Sequence, residues 1–140
     1  MPASKALAGV GTLFKRGNGL SPEDFTEFAE VVNIKGPTMT KEFTEVTHLG
    51  SIGGYKEFIA GFREGGEITL TCNYTPAAFH QFFDDWEDDD SHNYEIVLPD
   101  TNATTLDFAA FVMNCPLSST KELITIDVTL RITGVVERTS

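Results

Sequence analysis

Strict period-two alternation in two segments constrains this chain more than any other feature. In residues 67–74 (EITLTCNY), Ile68, Leu70, Cys72 and Tyr74 alternate with Glu67, Thr69, Thr71 and Asn73. In residues 124–133 (ITIDVTLRIT), Ile124, Ile126, Val128, Leu130 and Ile132 alternate with Thr125, Asp127, Thr129, Arg131 and Thr133. Successive side chains of a strand point to opposite faces, so each segment reads as a strand with one face in a core and one threonine-rich face in water. A helix, with neighbours every three to four residues, cannot segregate this pattern. Weaker strand patterns cover 10–15, 24–34, 41–47, 94–98 and 105–113, with turns at Gly17-Asn18-Gly19, Gly36-Pro37 and Pro99-Asp100.

One segment breaks the pattern toward helix. Over 76–87, Phe79, Phe82, Phe83 and Trp86 recur at helical spacing, Thr75 can cap the first turn and Pro76 suits its first position. The aromatic stripe is read as packing against a sheet or a barrel opening rather than holding a ligand. The acidic run 84–90 falls at the C-terminal end, where carboxylates oppose the helix dipole, and is read as fraying into a solvated loop. The expected fold is therefore mainly β: an antiparallel β-sandwich or barrel with one flanking α-helix, in a single domain over 1–140.

Residues 46–66 (VTHLGSIGGYKEFIAGFREGG) stand apart. They contain Gly50, Gly53, Gly54, Gly61, Gly65 and Gly66 and no proline, yet carry Leu49, Ile52, Tyr55, Phe58, Ile59 and Phe62. A long inter-strand loop inside a compact domain is uncommon and usually functional. Large apolar side chains on one imply a second surface that covers them.

Composition narrows the function classes. Ten Lys plus Arg against 21 Asp plus Glu give a formal charge of -11, with no clustered basic patch of the kind that neutralises nucleic-acid phosphates. A hydrophobic fraction of 41% with 11 phenylalanines fits a globular chain. No apolar run is long enough to span a membrane, and residues 1–14 lack the apolar centre of a signal peptide. Cys72 and Cys115 form no CxxC and read as free thiols in a reducing compartment. His80, His92 and the nearby aspartates match no zinc spacing, and 88–92 lacks the glycine and terminal glutamate of an EF-hand loop, so no metal and no cofactor is expected. No nucleophile motif, Walker motif or dinucleotide fingerprint occurs, and no enzymatic role is expected.

The order GTLFKRGNG, FTEFAEVVNIKGP, TKEFTEVTHLGSIGGYKEFIAGFREGGEITLTCNY, a helix, YEIVLPD and a closing ITIDVTLRITG resembles the major tail tube proteins of bacteriophages with long non-contractile tails, the lambda-like family. The likeness runs from about Gly11 to Val135 and is most specific over Gly53–Ile59 and Gly61–Glu67. The chain departs from the family in having Ala60 where a proline is common, in the acidity of 84–90, and in lacking an appended immunoglobulin-like domain. The resemblance implies a virion protein forming rings, typically hexameric, that stack into a tube for genome delivery. It implies an N-terminal arm over 1–10, a stacking loop over 46–66 and a β-lined channel. Leu49, Ile52, Tyr55, Lys56, Phe58, Ile59, Phe62 and Arg63 would make the contacts between rings and subunits, and Glu57 and Glu64 would flank them. Thr69, Thr71, Asn73, Thr125, Asp127 and Thr129 are the candidates for facing the lumen, with Arg131 on the same face pairing with Asp127 or sitting at a subunit seam. The implied partners are other copies of the chain and the tail initiator or tip, tape measure and terminator proteins. DNA would pass without specific binding, no membrane is involved, and assembly would take place in the bacterial host cytoplasm. The tube of a contractile tail or a type VI secretion needle shares the expected fold. A closed-ring terminator and a soluble acidic cation-binding module are the other readings left open.

Overall fold

The computed structural model describes residues 9, 11–20 and 22–139. Apart from Gly9, the arm expected over 1–10 lies outside the described residues. Strands β1 (Leu13–Gly17), β2 (Phe25–Thr26), β3 (Glu30–Lys35), β6 (Glu67–Asn73), β7 (His92–Val97), β8 (Thr105–Asn114), β9 (Leu117–Ser119) and β10 (Ile124–Thr139) form one antiparallel sheet. Its order is β2-β1-β7-β8-β10-β6-β3, with β9 also paired to β10. Strands β4 (Thr40–Glu45) and β5 (Phe58–Glu64) form a separate hairpin, and α1 (Pro76–Glu87) is the single α-helix of the described residues.

The two ends of the large sheet are connected directly. Thr26 closes β2 and Glu30 opens β3 at the opposite edge, so three residues span the gap and the edges lie within about 14 Å. Only a sheet curled toward a barrel satisfies that constraint. The alternation read from the sequence is what fills it: Ile68, Leu70, Cys72, Ile126, Val128, Leu130 and Ile132 are all buried. Phe14, Tyr94, Ile96, Phe108, Ala110 and Val112 complete the core from β1, β7 and β8. Phe14 stacks on Tyr94 at 5.5 Å between centroids.

Four expectations need correction. Residues 24–34 are not one strand, because Phe28 leaves the sheet between β2 and β3 and turns inward against Phe82 of α1 (4.9 Å) and Phe14 (6.4 Å). Residues 46–66 are not one continuous loop, since 58–64 is strand β5, registered against β4 from Thr40↔Glu64 to Glu45↔Phe58. The mixed polar and apolar order of that segment hides its strand character, as neither face of it is buried. Third, the aromatic stripe of α1 does not pack inward as a whole. Ala78, Phe82 and Asp85 form the buried face, Phe79 is half-buried, and Phe83 and Trp86 are exposed, Trp86 by 50%. Last, β10 continues six residues past the expected end, bending at Gly134 (φ 80°) where its register with β8 shifts. The bulge interrupts the alternation and so conceals the extension.

The capping expectation is realised in full. Thr75 Oγ1 accepts from the Ala78 amide, Pro76 occupies the first turn, and Asp88 ends the helix with its amide donating to the Asp84 carbonyl.

Candidate assembly surfaces

The β4–β5 hairpin leaves the body at a glycine neck. A Cβ on Gly65 would stand 2.5 Å from Ile132 Cγ2 and 2.9 Å from Val136 Cγ2, so the chain crosses β10 at a distance only glycine permits. Gly66 adopts φ +76° and Gly36 φ +108° beside it, and a Cβ on either would collide with backbone or side-chain atoms of the neighbouring segment. Beyond the neck every residue from Thr40 to Glu64 is exposed except half-buried Ser51. Val46 donates its amide to the Glu57 carbonyl, closing a tip that contains a single 3-10 turn, Ile52–Gly54.

The structure gathers the predicted contact residues on this arm. Leu49, Ile52 and Tyr55 sit on the tip, and Phe58, Ile59 and Phe62 on β5, all exposed, with Ile52 at 86% and Phe62 at 83%. Lys56 and Arg63 are also exposed. Phe43 and Met39 are two exposed apolar residues of the same arm that were not predicted. The signal was present: TKEFTE alternates polar residues on both faces, so a strand there has no core-facing side. A two-stranded hairpin is marginal alone in water, and this one leaves large apolar side chains exposed on both its strands and its tip.

The second surface is the polar face of β3, β6, β10 and β9. Register places Asn73 beside Thr125, Thr71 beside Asp127 and Thr69 beside Thr129, so all six lumen candidates fall on one face in three adjacent rows. The Thr71 hydroxyl donates to Asp127 Oδ1 at 3.2 Å. The rows extend to Glu30, Asn33 and Lys35 on β3 and to Ser118 on β9. Among the described residues, neither β3 nor β9 has a second strand partner, so this face ends in two open edges. Arg131 does not pair with Asp127. It bonds Glu64 at the hairpin base and lies 3.5 Å from Glu67, its cross-strand neighbour.

A buried polar cluster fixes the helix on the opposite side. Asp85, 3% exposed, accepts from Arg16 Nε and Nη2 (2.8 Å each), Tyr94 Oη (2.7 Å) and Gln81 Nε2 (3.1 Å). Arg16 Nη2 also donates to His92 Nδ1 at 3.0 Å, which places the ring hydrogen on Nε2, donating to Asp88 Oδ2. Burial alone would lower the Arg16 pKa, but its bonds and charge contact with Asp85 raise it. Burial, then the Asp85 charge, keeps the Tyr94 hydroxyl protonated well above its ordinary range. Burial pushes the Cys72 thiol up to about 11, which suits an unreactive core position. Against the expectation that the acidic run 84–90 frays into a solvated loop, 84–87 stay helical, and Asp85, spaced three from Phe82 and seven from Ala78, lies on the inner face of α1.

Comparison with known proteins bears on the fold. The family described as lambda phage tail tube protein, TTP, matches residues 7–139. None of the curated proteins matches. Among solved structures, a chain of the virion of a native gene transfer agent particle superposes with TM-score 0.77 at 17% identity, over 96% of this chain and 100% of that one. A chain from the tail of an empty gene transfer agent particle, refined helically with C6 symmetry, gives 0.74 at 19% over the same shares. A chain of the six-fold symmetrised anti-feeding prophage baseplate gives 0.68 at 13%, over 99% of this chain and 98% of that one. At these identities the structural likeness concerns the fold.

Proposed function

Since the chain belongs to the lambda phage tail tube protein family, we propose that it assembles as hexameric rings stacked into the tube of a long non-contractile tail, through which the genome is delivered. The β4–β5 hairpin carries this reading: an arm exposed along its whole length, rich in aromatic and aliphatic side chains and held to the body only at its base. Stacking is a heterologous, head-to-tail contact and needs such a projecting element. On this reading Tyr55, Phe58, Ile59 and Phe62 are the apolar anchors, with Leu49 and Ile52 at the tip and Lys56 and Arg63 at the rim.

Within a ring, the open edges at β3 and β9 support edge-to-edge joining of the polar face into a continuous channel wall. Thr69, Thr71, Asn73, Thr125, Asp127 and Thr129 would then line the lumen, offering hydroxyl, amide and carboxylate groups with no cationic cluster to hold DNA phosphates. The role is structural rather than catalytic. Its partners are other copies of this chain and the initiator, tape measure and terminator proteins of the tail, and assembly takes place in the bacterial cytoplasm. The lambda-like family match favours this over the tube of a contractile tail or a secretion needle.

The test shortens the arm without removing its strands. Val46 and Glu57 are hydrogen-bonded neighbours, so replacing 47–56 by Asn-Gly leaves a two-residue hairpin turn. The variant is expected to keep the thermal stability of the parent and to form no tubes in negative-stain micrographs. Tubes of normal length from it would exclude the tip as the stacking element.

A further inference from the structure

At the hairpin base a groove of about 660 Å³ opens between the arm and the bent part of β10. Met39, Ile132, Val135 and Val136 supply its apolar lining, and Lys41 and Arg63 its rim. Val135 is 69% exposed. Lys41 and Arg63 lie directly opposite each other across the hairpin, and neither has a carboxylate partner among the described residues. Glu64, which also lines the groove, is taken up by Arg131, so two adjacent cations over an apolar floor leave the groove suited to a ligand with apolar side chains and a negative charge.

The other end of β10 carries exposed apolar side chains and one carboxylate, Glu122. Ile124 opens the strand, and the β9–β10 turn before it presents Leu117, Leu123 and Ile124 to solvent, Leu123 at 52%. The turn is held in shape by the Thr120 amide and hydroxyl donating to the Leu123 carbonyl and by the Leu123 amide donating to Thr120 Oγ1. Lys121 and Glu122 share its apex, both exposed. From Ile124 to Ile132 the strand runs eight residues, about 27 Å. Knob and groove thus occupy opposite ends of one rigid element.

We propose that the β9–β10 turn of one copy seats in the hairpin-base groove of a second copy, with Glu122 between Lys41 and Arg63. Head-to-tail repetition of such a contact produces an open-ended stack, because each copy keeps one free knob and one free groove. The contact rests on the stacked-ring reading and adds to it a second joint, independent of the hairpin tip.

Paired cysteines test it. Leu123→Cys and Val135→Cys are combined in a Cys115→Ala background, and the assembled protein is oxidised mildly and run on a non-reducing gel beside each single variant. A head-to-tail joint yields a covalent ladder beyond the dimer in the double variant and nothing beyond the dimer in either single one. Tubes visible by microscopy without a ladder overturn this contact and leave the stacked reading intact. If the unaltered chain forms no tubes at any concentration, both fall. A charge exchange gives a second readout: Glu122→Lys is expected to abolish tubes, and adding Lys41→Glu to restore them. Tubes from Glu122→Lys alone would count against the salt contact.

Discussion

Asp85 shows how one side chain can hold two layers together. It is the only carboxylate in the buried set of the described residues, and its oxygens satisfy donors from β1, β7 and its own helix. Asp85→Ala would leave the Arg16 guanidinium and the Tyr94 hydroxyl without their acceptor, and should cost about 3 kcal/mol in urea unfolding at neutral pH. Asp85→Asn should cost less, because the amide oxygen keeps one acceptor. A carboxylate pair elsewhere is arranged in the opposite sense. Glu95 lies beside Asp107 across β7 and β8, Asp107 Oδ1 is buried without a donor, and Glu137 follows in the same row. Burial first, then the contacts with Asp107, raise the Glu95 pKa above its ordinary 4.5, with Lys15 at 3.9 Å opposing the shift. A group whose pKa is raised by folding stabilises the fold below its unfolded value and loses that contribution as pH climbs through the folded one. Asp107→Asn should therefore raise Tm at pH 7 by about 1–4 °C and leave it unchanged near pH 4. A calorimetric pH series would read this directly, and an equal rise at both pH values would exclude the repulsion as its cause.

At the scale of the element, the hairpin and the helix illustrate different dependences on the rest of the chain. The helix was legible almost residue by residue, because Thr75, Pro76 and the aromatic spacing all act locally. Which of its faces turned inward was not, since Phe82 beside Asp85 and Phe83 beside Trp86 have similar periodicity, and only the position of Arg16 and Phe28 selects between them. The hairpin was legible as an anomaly and not as a pair of strands. Its orientation depends on the neck, where Gly65 crosses Ile132 and Val136. Gly65→Ala should force the neck away from β10 at a cost of about 1–3 kcal/mol. Limited proteolysis should then cut the arm faster than in the parent, and an unchanged rate would mean that the neck tolerates the methyl group.

At the scale of the whole molecule, a formal charge of -11 falls on a chain whose proposed channel face holds Asp127 and Glu30 against Lys35. That is a weakly charged wall, and reversing one charge on it should matter. In a phage carrying Asp127→Lys, rings should assemble while DNA release slows, because each copy adds a cation facing the phosphates. Ejection kinetics equal to the parent would remove this residue from the lumen.

Composition and pattern determined that this chain is a mainly β protein with one capped helix, that one face of its principal strands stays wet, and that residues 46–66 carry apolar side chains in a glycine-rich setting. Those properties follow from periodicity and local chemistry, which each segment carries by itself. The closing of the sheet, the choice of Asp85 as an interior group, the partnering of Arg131 with Glu64 and Glu67, and the groove at the hairpin base were decided only by the tertiary structure. Each depends on residues brought together from far along the chain, and no local spacing encodes which of them will meet.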